Sequence, residues 1–223
     1  MPHLPSAKRS RKGRRGISVD LLGFDFSVDQ GAIDWNAVAE ARKTVFAFGK
    51  ATEGLTYVDA NFRANHDGAK AAGFPIGAYH FFHFGDDGLA QAEKFLSVVD
   101  GYEGPLLPMV DVELDGADGE TDIPSMMRNL GAFLARVDAT LRGKRTLIYF
   151  DWAFWVYNLG GYGGFSGHPA WVAAYNNGAT FDMTGTGWHD WTLWQYTDQL
   201  AVPGITVPCD GDRLQGALSL IQR

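Results

Sequence analysis

From about residue 19 to residue 150 the chain alternates short apolar runs with amphipathic stretches of helical period; then the alternation stops. Residues 19–25, 45–51, 74–82, 106–113 and 146–150 read as strands, because β-branched, aromatic and other apolar side chains fill them between breakers. Residues 34–43, 59–72, 89–99 and 125–142 read as helices. Asp34 is placed to cap the first, and Gly73 and Gly143 to stop the second and fourth. Gly104-Pro105 breaks the chain just before the fourth strand. Beyond residue 150, segments 170–175, 191–196 and 205–210 are strand-like, with glycine-rich turns and no helix predicted between them. Five strands, the first four each followed by a helix, and then three more strands predict an α/β barrel whose last third lacks helices.

The run Leu106-Leu107-Pro108-Met109-Val110-Asp111-Val112-Glu113 is apolar until it ends in two acids spaced i, i+2. On a strand that spacing puts both carboxylates on one face, with Cα atoms roughly 6.5–7 Å apart. A D-x-E on its own is better read as an acidic strand end that faces water. The position of this one argues for chemistry. Its apolar run fits a parallel strand buried on both faces, and α/β barrels place their active sites at the strands' C-terminal ends. Other polar and aromatic residues fall at the same ends: Asp25, Glu53, His80 and Phe82, Tyr149 and Trp152, Tyr175, then Trp194, Gln195 and Tyr196. Paired carboxyls in such a mouth suit glycoside hydrolysis, where one protonates the leaving oxygen and the other stabilises or attacks the developing positive charge.

The motifs then resemble a known family. Gly23-Phe24-Asp25-Phe26-Ser27 with Ile33-Asp34-Trp35, Lys50-Ala51-Thr52-Glu53-Gly54 and Gly77-Ala78-Tyr79-His80-Phe81-Phe82 resemble blocks of glycoside hydrolase family 25 muramidases, the Chalaropsis-type lysozymes. So do Asp111-Val112-Glu113, Trp171-Val172-Ala173-Ala174-Tyr175 and Trp194-Gln195-Tyr196-Thr197. The resemblance runs in order over about residues 19–216. It implies a modified TIM-like (β/α)5β3 barrel that cleaves the β-1,4 bond between N-acetylmuramic acid and N-acetylglucosamine of bacterial peptidoglycan, with net retention.

Carried over by position, Glu113 is the general acid, with Asp111 and Asp25 in the acidic cluster. The last acidic position falls on Asp210, in Cys209-Asp210-Gly211-Asp212-Arg213-Leu214. The family pattern there is Asp-Leu-Asn-x-Phe, so Gly211 and Asp212 depart from it. Tyr79, Phe81, Glu53, Tyr149, Trp171, Tyr175, Trp194, Gln195 and Tyr196 are the expected substrate contacts, the aromatics because sugar C–H faces stack on rings. Glu53 is also placed to pair with Lys50. A chitinase of the D-x-D-x-E type is excluded because Met109 stands where its first Asp belongs. A barrel that binds wall glycan without turning it over is the alternative of another class.

Charge and cysteine content narrow the setting. The net charge is −7, yet Lys8, Arg9, Arg11, Lys12, Arg14 and Arg15 crowd residues 1–16 with no acid among them. The rest of the chain sets 13 basic against 26 acidic side chains. A body this acidic is not expected to bind nucleic acid. Residues 1–16 read as a disordered basic tail, and 17–223 as one catalytic barrel domain. No classical signal peptide and no membrane-spanning run are expected. The expected site of action is the cell wall, reached after release by a phage or by non-standard export. Cys209 is the only cysteine, which excludes an internal disulfide. His80 and His83, at i and i+3 of a strand, point to opposite faces, so no metal or other cofactor is expected. A monomer is expected.

Overall fold

The computed structural model describes residues 20–102, 104–175 and 182–223. The basic tail and the first residue of the expected first strand lie outside them.

Nine strands form one sheet: β1 (Leu21–Phe26), β2 (Phe46–Glu53), β3 (Tyr57–Val58), β4 (Ile76–Phe81), β5 (Met109–Val112), β6 (Leu147–Asp151), β7 (Ala170–Ala173), β8 (Leu193–Leu200) and β9 (Cys209–Leu214). The order is β1-β9-β8-β7-β6-β5-β4-β2-β3, and a β1–β2 pairing closes eight strands into a barrel. The expected modified TIM-like architecture is present. Strand pairs from β1–β2 round to β7–β8 are parallel, whereas β9 runs antiparallel to both of its neighbours. Strand β3, which was not expected, pairs only with β2, in a small hairpin on the barrel rim.

Helices α1 (Trp35–Ala41), α2 (Phe62–Ala71), α3 (Gly88–Val99) and α4 (Ile123–Asp138) cover the outside. Asp34 caps α1 by accepting from the Asn36 and Ala37 amides, and Asp87 caps α3 through the Ala90 amide. After β6 the covering helix shrinks to a π-helical turn, Phe154–Asn158. Helix α4 ends at Asp138, short of the expected residue 142, and turns lead on to Gly143. Gly88 permits the close contact of α3 with α4: a Cβ there would lie 1.8 Å from the Asn129 carbonyl oxygen.

Strand alternation sorts the apolar side chains into separate cores. Odd positions of β5 and β6 enter the barrel: Met109, Leu147 and Tyr149 pack with Phe46, Phe48, Trp171, Leu193 and Leu214. Even positions, Val110, Val112, Ile148 and Phe150, meet α2–α4 in the outer layer. Gly23 leaves room for the Phe46 ring inside the barrel, where a Cβ would clash at 2.1 Å. The chain's end closes the bottom: the Leu107 amide donates to the Ile221 carbonyl, and Ile221 is buried in the interior core.

Two strand expectations need correction. The fourth strand is only Met109–Val112, because Pro108 has no amide to donate. The last is Cys209–Leu214 rather than 205–210. Pro203, Gly204 and Pro208 occupy the segment before it, and its polar Asp-Gly-Asp, which reads as a turn, faces the barrel interior.

Candidate active site

The interior-facing positions become acidic toward the mouth. Asp25 follows Gly23 on the inner face of β1, and Asp111 and then Glu113 follow Met109 on β5. Because β9 is antiparallel, its beginning lies at the mouth, so Asp210 sits at the rim and Asp212 one layer below. Register places Asp25 directly opposite Asp210, and Asp212 opposite both Gly23 and Gln195. Four aspartates and Glu113 from three strands therefore share one end of the barrel.

Gln195 ties this cluster together. Its Oε1 accepts from the hydroxyls of Tyr149 (2.9 Å) and Tyr175 (2.5 Å), and its Nε2 donates to Asp25 Oδ2 at 2.8 Å. Asp212 Oδ1 accepts from the Trp171 indole N–H at 3.0 Å. A cavity of about 380 Å³ opens beside Glu113, lined by Leu114, Asp115, Tyr149, Asp151, Ala173 and Tyr175 among others. That size lies within the range of small-ligand sites.

Burial and mutual repulsion favour the protonated acids. Asp25 is raised well above the ordinary carboxylate range by burial first, then by the charges of Asp210 and Glu113, against the Gln195 hydrogen bond. Burial, then Glu113 and Asp25, raise Asp111, while Lys50 opposes them. Glu113, only partly buried, is raised by burial and by Asp151 and Asp115, and held back by its contact with the Tyr149 hydroxyl. Asp210 rises to about 6, through burial and Asp198.

A β-bulge decides the Lys50–Glu53 question. On a regular strand, i and i+3 face opposite sides. The register of β2 against β4 slips between Lys50 and Thr52, which returns Glu53 to the inner face. Glu53 pairs there with both Lys50 and His83. Burial opposes its ionisation, but the Lys50 hydrogen bond and charge prevail and lower its pKa. His83 also binds Asp118 at 2.6 Å, tying the end of β2 to the loop after β5. The Lys50 ammonium lies 4.8 Å from the Phe81 ring centroid.

The structure gathers Asp25, Asp111, Glu113, Asp210, Tyr79, Phe81, Tyr149, Tyr175, Gln195 and Glu53 at the mouth. Other sequence candidates lie elsewhere. His80 and Phe82 point outward: His80 is fully buried, stacked on Phe133 and bonded to Thr52 and Gln91. Trp171 is inside the barrel but has no exposed surface for a sugar to stack on, since it packs edge-on to Phe48 and Tyr149. Trp194 and Tyr196 flank Gln195 on the outer face, with the Arg213 guanidinium over both rings. Asp151, Asp115 and His83 were missed. Asp151 was findable, since it follows Tyr149 by two on the same strand; the bridge made by His83 depends on the bulge, which no local pattern announced.

The sequence profile of the glycosyl hydrolases family 25 matches residues 24–205. The chain belongs to this family. Among its relatives, lysozyme M1 of Streptomyces globisporus is 34% identical over 205 residues, covering 88% of this chain and 68% of that protein. An N,O-diacetylmuramidase of Chalaropsis is 31% identical over 194 residues, covering 82% and 91%. The solved bacterial lysozyme of Streptomyces coelicolor superposes with a TM-score of 0.80 at 29% identity, covering 91% of this chain and 95% of that one. Family 25 membership agrees with the barrel.

Proposed function

We propose that the chain is a lysozyme that hydrolyses the β-1,4 bond between N-acetylmuramic acid and N-acetylglucosamine in bacterial peptidoglycan, with retention of configuration. The observation that carries this reading is Glu113. It stands on the cavity wall just past the end of β5, with its protonated form favoured and the buried Asp111 two residues before it. A carboxylic acid still protonated near the working pH can give its proton to the glycosidic oxygen as the bond breaks. The positive charge that develops on the sugar then faces Asp111, which acts in its ionised form, the form that the Lys50 charge favours. Asp111 either attacks the anomeric carbon or orients the substrate's N-acetyl group for internal attack; both routes retain stereochemistry.

Tyr149 and Tyr175 wall the sugar site and are held by Gln195. Tyr79, Phe81 and Glu53 border it from β4 and β2. The substrate requires action at the cell wall, and the barrel mouth can act there as a monomer. Digestion of purified peptidoglycan followed by mass spectrometry tests the reading. New reducing-end muramic acid is expected; reducing-end glucosamine would overturn the bond assignment. Binding without any new reducing end would make the barrel a wall-binding module.

A further inference from the structure

We propose that Asp212 is a positioning residue that acts as a neutral carboxylic acid: its Oδ1 accepts from Trp171, and its Oδ2 carries a proton donated to Asp25. This deepens the lysozyme reading and rests on Asp25 belonging to the reacting cluster.

The contacts fit the two ends of a carboxylic acid. Asp212 has no exposed surface. One oxygen receives the indole N–H. The other is buried, and no donor among the described residues reaches it. An ionised carboxylate there would leave a buried, charged acceptor unsatisfied, which is costly. The register sets Asp212 opposite Gly23, two residues along the same inner face from Asp25, and each carboxyl acts on the other as a hydrogen-bond partner, so a proton between them satisfies both.

The seat of that proton follows from the surroundings. Asp25 already receives the Gln195 amide, which favours its ionised form. Asp212 lies deeper, so ionising it is harder. The charges acting on Asp212 are those of Asp25 on β1 and Asp210 on its own strand, both negative. Its register neighbours, Gly23 on β1 and Gln195 on β8, are neutral, and Trp171 of β7 is neutral too. Of the phenols around the cluster, Tyr79 and Tyr149 are pushed far above their ordinary range by burial. Cys209, three residues earlier on β9, packs in the outer core. The adjacent Arg213 lies over Trp194 and Tyr196 on the outer face, so it does not neutralise the row. With Gln195 and Asp212 both donating to it, Asp25 is fixed in one orientation toward Asp210 and the reacting centre. The row titrates as a unit.

The test compares Asp212→Asn, which keeps a donor and an acceptor, with Asp212→Leu, which keeps neither. Infrared difference spectra of folded protein near neutral pH should show a protonated carboxyl C=O band in the wild type that Asp212→Asn removes. An unchanged band overturns the proposal. Asp212→Asn should recover at least about tenfold of the kcat lost in Asp212→Leu, with KM little changed, and its alkaline limb should stay where Glu113 sets it, because one neutral group replaces another. Equal inactivity of two folded variants would also overturn it, since Asp212 would then act as a charge. The infrared reading does not depend on turnover. If the wild type failed to cleave peptidoglycan, the lysozyme reading would fall while the proton's position would still be decided.

Discussion

Strands β5 and β9 carry nearly the same motif, Asp111-Val112-Glu113 and Asp210-Gly211-Asp212, and use it in opposite order. Both pairs face the barrel interior. On β5 the second acid is the one nearer solvent: Asp111 is buried and Glu113 is at the rim. On β9 the first is nearer solvent: Asp210 is at the rim and Asp212 has no exposed surface. Strand direction alone makes the difference. An acid two residues along a parallel strand climbs toward the substrate, and along an antiparallel one it descends into the core. Depth then sets chemistry, because the rim acid can reach a glycosidic oxygen and the deep one can only hold another side chain.

The largest expected effect is on the β5 rim. Glu113→Gln should fold normally and lose at least about 10²–10³-fold in turnover on peptidoglycan, measured as turbidity loss. Near-wild-type turnover would remove Glu113 from the role of acid. Next, Asp25→Asn and Asp111→Asn should each lower turnover, and the double variant should lose less than the product of the two, because the carboxyls act as a unit. Strictly multiplicative losses would separate β1 from β5.

Smaller effects concern titration. Asp151 raises the pKa of Glu113, so Asp151→Asn should lower it and let the acid lose its proton at lower pH. The alkaline limb of the pH–rate profile should then move to lower pH, and an unmoved limb would mean that the two carboxyls do not interact. Asp210 has its folded pKa raised to about 6 from 3.8. The native state therefore binds more protons than the unfolded chain between those values. Its contribution to stability is full below about pH 4 and is lost as pH rises through about 6. Melting temperature followed across that window should fall less in Asp210→Asn than in the wild type.

The smallest catalytic effect is expected on the outside of β8. Trp194→Leu should lower the melting temperature by removing a packed ring, at a cost of about 2–4 kcal/mol by analogy with large-to-small core changes. KM should hardly change. A severalfold rise in KM at unchanged stability would bring this face into substrate binding after all.

Much of this was legible along the chain. The alternation of strands and helices, the Asp34 cap and the D-x-E at a strand end all follow from neighbours within a few residues. Trp194 and Tyr196 were misplaced because period-2 alternation separates them from Gln195 but does not say which set faces inward; Trp171 faces inward, and only its depth keeps it from a sugar. The bulge in β2 was invisible for a related reason, since it is a property of pairing with β4. The last strand was misplaced because a polar Asp-Gly-Asp is written like a turn and becomes a strand only when a barrel interior receives its carboxylates.

What the sequence by itself determined is what local stereochemistry controls: element type, caps, and the sharing of one strand face by Asp111 and Glu113. What only the tertiary structure decided is the depth and company of each charge. Asp210 lies opposite Asp25, Asp212 sits beneath it on Trp171, and Gln195 joins Asp25 to the tyrosines across 170 residues of chain. Those neighbours depend on the direction of β9 and the closure of β1 on β2. Burial and Coulomb repulsion, which set the protonation of these acids, act through space and not along the backbone.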